Sequence, residues 1–214
     1  MNFFGHAAIA GQFRASPEFV LGAMLPDFCG MLGLKTPRPS AGVLGEGVRF
    51  HHLTDHAFHE LLAFRSFVSE ATAWLDAEGV RRGTARAVAH VGVELLLDAA
   101  LAEGDAARSL YLAALGVAQT PELFERAEFR AHEGTSLSGL ARNLESRGVS
   151  RAPDAALVVT RLERALSARP RLRIEPPDVA RVTSWVELFR DRVLSSTPEI
   201  VNELTSALVL KLAA

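Results

Sequence analysis

The chain has 214 residues, enough for one full domain with a sizeable core. Hydrophobic residues make up 49% of it and the formal charge is −2, so it lacks the overall basic footprint that would point to nucleic acid. The single cysteine, Cys29, excludes an internal disulfide, suits a reducing compartment and reads as a small buried hydrophobe.

The apolar pattern is helical almost throughout, and β-branched and aromatic residues never alternate cleanly over a strand length. The predicted fold is all-α, a single-domain helical bundle over residues 1–214, and the resemblance given below implies that it is HD-like. The opening MNFFGHAAIAG is apolar but short and lacks a basic flank, so no signal peptide is expected. No apolar run approaches the ~20 residues that span a bilayer. The expectation is a soluble cytoplasmic protein without stable membrane insertion.

Ser16-Pro17-Glu18 offers a capping hydroxyl, a proline at the first helical position and an early acid. It starts a helix predicted from Pro17 to about Leu25. Pro26 then ends it and leaves Asp27 at a break. The stretch from Lys35 to Gly47 holds Pro37, Pro39, Gly42, Gly45 and Gly47 and reads as a loop. A long helix follows from about Val48 to Ala77, stopped by Gly79, and another from about Thr84 to Ala102. Shorter helices are predicted at 105–115, 120–132 and 136–146, and longer ones at 153–168, 177–195 and 198–212. Thr120-Pro121-Glu122 and Thr197-Pro198-Glu199 repeat the helix-start signal.

Two of these helices carry ligand-type side chains at four-residue steps: His51, Asp55 and His59 in the first, and His90, Glu94 and Asp98 in the apolar run AVAHVGVELLLDAALA. Charges inside an apolar helix are costly unless paired or bound to a metal. Residues four apart lie about 40° apart around the axis and ~6 Å along it, so adjacent members of a row can share an ion. Residues eight apart are ~12 Å apart, too far for one ion with bonds of ~2 Å. Each row therefore implies two metals, or one metal and a residue that orients a ligand or binds substrate. Two rows facing each other form a polar seam in the core. Mixed imidazole and carboxylate donors suit zinc, manganese or iron, one ion or two. His6, in an apolar segment, and Asp27, beside the proline, are further candidate ligands. His52 and His56 form a second pair rotated by about 100°. His52 and His59 are the candidate proton donors or phosphate binders, whereas His56 and His132 read as ordinary helical histidines. Arg161, Arg164, Arg169, Arg171 and Arg173 make a basic strip around Pro170, read first as a solvated face.

These residues fall in an order that resembles the acyl carrier protein phosphodiesterases, helical relatives of the HD-domain metal-dependent phosphohydrolases. The resemblance rests on MNFFGHAAIA with His6, GAMLPDF with Asp27, GVRFHHLTD with His51 and Asp55, ELLLDAAL with Glu94 and Asp98, and LSARPRL near the C-terminus. It implies a metal frame of His51, Asp55, Glu94 and Asp98 and release of 4′-phosphopantetheine from a holo acyl carrier protein. The chain departs from that pattern at Ala23, His52, His59 and Ala99. FVLGAMLPD and AHVGVELLLD are also similar to the zinc-dependent phospholipase C group, which implies His6, Asp27, His90 and Glu94 as ligands. Both resemblances imply metal-assisted phosphodiester hydrolysis; a helical binding protein that kept the fold and lost the chemistry is the rival from another class. Nothing in the sequence identifies the oligomeric state.

Overall fold

The computed structural model describes residues 1–35, 38, 41–120, 136–149 and 154–213. Among them are nine α-helices and no strand, the all-α class that the periodicity predicts. The helix expected at 120–132, and His132 with it, lies outside the described residues. No helix among the described residues is long and apolar enough to cross a membrane.

The helices are α1 (Phe3–Phe13), α2 (Pro17–Leu32), α3 (Val43–Glu60), α4 (Leu62–Ala77), α5 (Arg82–Leu101), α6 (Asp105–Val117), α7 (Leu137–Arg147), α8 (Ala155–Leu166) and α9 (Val179–Ala213). A 3₁₀ turn, Pro176–Asp178, precedes α9. Backbone packing groups them into two compact units. One comprises Met1–His56 and Leu101–Val149, the other Ala57–Ala100 and Ser150–Ala214.

In the first unit α1 packs on α2 and α6, and α2 also meets α6 and α7. Sequence patterning did not predict α1, because its residues are apolar on every side. Such a helix is buried all round and has no amphipathic stripe to betray it. Phe4, His6, Ala7, Ile9 and Ala10 are all buried in it, and the Asn2 side chain caps it by accepting from the Phe3 N–H. Ser16 caps α2 as the sequence predicts, accepting from the Phe19 N–H.

The helix does not end at Leu25. It runs through Pro26 to Leu32 and closes on Gly33 in the left-handed region. Pro26 brings no N–H for the Gly22 carbonyl, but the segment around it is buried except for the half-buried Asp27, and tertiary packing holds the helix across the gap. Asp27 therefore lies within a helix rather than at a break. The loop predicted up to Gly47 is also shorter, since α3 begins at Val43. Gly45 and Gly47 lie inside it, and Gly47 is used for contact. A Cβ there would run into the Phe19 carbonyl, and one on Gly22 into the Leu44 carbonyl. Two glycines thus let α2 and α3 cross backbone to backbone, offsetting the cost of glycine in a helix.

In the second unit α9 packs on α4 and α8. Trp185 is fully buried, with its ring over Gly92 of α5, where any Cβ would collide with it. The helices expected at 177–195 and 198–212 are one. Thr197 does not cap a new helix; it is buried and its hydroxyl donates to the Val193 carbonyl at 2.9 Å, so α9 continues through Pro198. Conversely, the helix expected at 48–77 is interrupted at Leu61, whose backbone is extended (φ −59°, ψ 129°). Neither glycine nor proline marks this break. Leu61 is buried, and the turn sets the Phe58 and Phe64 rings 4.2 Å apart. Side-chain packing overrides an unbroken helical pattern here.

Candidate metal centres

Each unit gathers one set of three metal-type donors, and these are the two such groups among the described residues. In the first unit α1 brings His6, α2 brings Asp27 and α3 brings His51, with one donor atom from each within 4.8 Å of the others. His6 and His51 are buried, and their rings lie 3.9 Å apart between centroids. His51 Nδ1 is 2.8 Å from the Ala23 carbonyl. A carbonyl only accepts, so Nδ1 carries the proton and Nε2 keeps its lone pair, the tautomer a metal-binding histidine needs. Burial, followed by the neighbouring His6, pushes the His51 pKa from 6.5 down to about 3 and outweighs the opposing pull of Ala23 and Asp55. His51 is therefore neutral at physiological pH. Asp55, one turn further along α3, sits 3.7 Å from His6 Nε2 and 3.2 Å from the Met1 amino group.

The second unit brings together His59 from the last turn of α3 with His90 and Glu94 from α5. Glu94 Oε1 lies 3.1 Å from His90 Nε2 and 3.4 Å from His59 Nε2, and the two Nε2 atoms are 3.2 Å apart. The imidazoles stack 5.0 Å apart, and Phe64 meets both edge-on at 5.3 Å. Burial alone raises the Glu94 carboxyl, but hydrogen bonds from His59 and His90 win and hold it below the ordinary carboxylate range. Three donors bound ~2.05 Å from one tetrahedral ion lie about 3.3 Å apart. The three observed separations match that figure.

Residues expected from sequence to share a row thus divide between two groups. His51 joins His6 and Asp27, with Asp55 at their edge, while His59 joins His90 and Glu94. Asp98 is buried on α5, one turn past Glu94, and belongs to neither group. His52 is exposed and meets His51 edge-on at 5.3 Å, and His56 is exposed too. Cys29 is buried in α2, outside both groups. Arg164, Arg169, Arg171 and Arg173 are exposed. Sequence reasoning missed the Ala23 carbonyl, a backbone atom that no residue type signals. It also missed Phe64, hidden by the unmarked break at Leu61.

No protein-family model, no curated protein and no solved structure matches this chain.

Proposed function

We propose that this protein is a metal-dependent phosphodiester hydrolase that binds zinc, manganese or iron(II) at its two sets of two imidazoles and one carboxylate. The observation that carries the proposal is the His59–His90–Glu94 group, whose donors stand at the mutual spacing of ligands on a tetrahedral ion. Three protein ligands leave a fourth position for water or substrate, the pattern of catalytic rather than structural zinc. A bound divalent ion supplies Lewis acidity and a water that ionises near neutral pH.

The remaining work falls to side chains. His51, locked as the Nδ1–H tautomer, presents its lone pair with His6 and Asp27. Asp55 stands beside them to orient a donor or accept a proton. His59 belongs with the metal donors in this reading rather than with the proton donors. The phospholipase C-like ligand set, His6, Asp27, His90 and Glu94, falls wholly within the two groups, whereas Asp98 of the acyl carrier protein phosphodiesterase set does not. That favours the phospholipase-like reading over release of 4′-phosphopantetheine.

The test is elemental analysis after loading with Zn²⁺, Mn²⁺ or Fe²⁺, followed by assay with bis(4-nitrophenyl) phosphate. Stoichiometric metal and turnover are expected. A chain that retains no metal and hydrolyses no diester is a helical binding protein instead.

A further inference from the structure

Next to the His59–His90–Glu94 group lies a cavity of about 470 Å³, lined from α4, α5 and the end of α3. Arg65, Ser69 and Thr72 face it from α4, and Arg82, Arg86 and His90 from α5. In each set the spacing of three or four residues keeps the side chains on one face of their helix. No Asp or Glu is among the lining residues. Arg14, Arg173, Arg181 and Arg192 each pair with a carboxylate. Arg65, Arg82 and Arg86 form no ion pair among the described residues, so three guanidinium groups line the cavity with no anion of the protein's own to neutralise them; the Thr72 hydroxyl donates to the Val68 carbonyl at 2.6 Å. The apolar walls from Phe64 and Val68 strengthen their field inside the concavity. His59 and His90 belong both to the cavity lining and to the donor group. Along α5, Arg86 lies ~6 Å and Arg82 ~12 Å from His90.

We propose that this cavity is an oxyanion-binding subsite. It selects phosphodiesters in which one alcohol arm carries a second negative group, a phosphate or a carboxylate, held by Arg65, Arg82 and Arg86. Guanidinium forks match both oxyanions in shape and charge. The inference rests on the hydrolase reading for the reacting phosphate, but not for the anion site itself.

Two measurements separate them. The metal-free full-length protein is titrated calorimetrically with inorganic phosphate, acetate and tetramethylammonium. Phosphate or acetate should bind and tetramethylammonium should not; the tighter of the two anions tells which group the arm carries. Arg82→Ala and Arg86→Ala should each weaken anion binding by about tenfold, with unchanged circular dichroism. Equal anion affinity in the variants, or binding of the cation alone, overturns the proposal. The zinc-loaded protein is then given 4-nitrophenyl phosphodiesters whose second arm is ethyl or 2-phosphoethyl. A preference of about tenfold or more in kcat/KM for the charged arm is expected, and it should collapse in the Arg82→Ala/Arg86→Ala double variant. Turnover of both esters with no arginine-dependent preference removes the subsite and leaves the hydrolase. Arginine-dependent phosphate binding without turnover of either ester removes the hydrolase and leaves the anion site.

Discussion

The two donor groups share a composition, two imidazoles and a carboxylate, and differ in access. His6 and His51 are buried among α1, α2 and α3, with a main-chain carbonyl fixing one ring. His59 and His90 are each about a third exposed or more and open onto a cavity. The same ligand chemistry therefore serves two ends. In the proposed reading the enclosed set would hold an ion and the fold around it, whereas the accessible set could also admit a substrate.

That contrast breaks most sharply at Glu94. Glu94→Gln removes the only carboxylate of the accessible group while keeping its shape. Metal-loaded diesterase activity should fall by more than about 100-fold, the most that losing an outer hydrogen-bond partner of a ligand typically costs. Circular dichroism should stay unchanged. Activity within tenfold of the parent would place the chemistry elsewhere.

The next largest effects concern the scaffolds. Gly22→Ala forces a Cβ into the Leu44 main chain, and Gly92→Ala forces one into the Trp185 ring. Overpacking costs about 1–3 kcal/mol where side chains can shift. Backbone has less room to give, so Gly22→Ala is expected at or above the top of that range and Gly92→Ala within it. Urea denaturation of both variants ranks them, and the reverse order would show that α2 and α3 can slide apart.

A smaller effect comes from pH. His51 is neutral in the fold down to about pH 3, but its unfolded counterpart gains a proton below 6.5. The unfolded state then binds more protons, so metal-free stability should fall as pH drops, by up to roughly 1.4 kcal/mol per unit. The stabilisation from Glu94, whose carboxyl is depressed, is lost only below its unfolded value of 4.5. Chemical denaturation between pH 4.5 and 6.5 thus separates His51 from Glu94, and His51→Gln should reduce the slope there. An unchanged slope in that variant would mean that burial of His51 is not the source.

The smallest change is expected from His52→Ala. The side chain is exposed and in neither donor group, so metal content should be unaltered and activity should fall far less than with His59→Ala. Equal losses in the two variants would restore His52 as a participant in the reaction.

Local rules carried much of this molecule. Periodicity located α5, α6, α7 and α8 closely, and Gly79, at φ +85°, stops α4 where the sequence predicts. The rules failed where tertiary packing outvoted them. Pro26 looks like a stop and Thr197-Pro198 like a start, yet both lie inside continuous helices, Pro26 in a largely buried stretch and Pro198 exposed beside the buried Thr197, whereas Leu61 looks like helix but turns for the sake of Phe58 and Phe64. The donor residues were legible because imidazoles and carboxylates recurred every four residues on otherwise apolar helices. Their grouping was not, because His51 and His59 are ~12 Å apart along the axis, and what each end meets depends on partners far away in sequence. The arginines of the cavity gave a faint signal, since Arg82, Arg86 and His90 recur at the same four-residue interval.

The clasp on His51 comes from a peptide oxygen. Truncating side chains one by one would never expose it, because Ala23 has already nothing to lose and any L-residue there supplies the same atom. Position 23 is accordingly free to drift in identity, provided its side chain fits the surrounding space, without releasing the imidazole. An alanine at position 23 therefore costs this hold nothing.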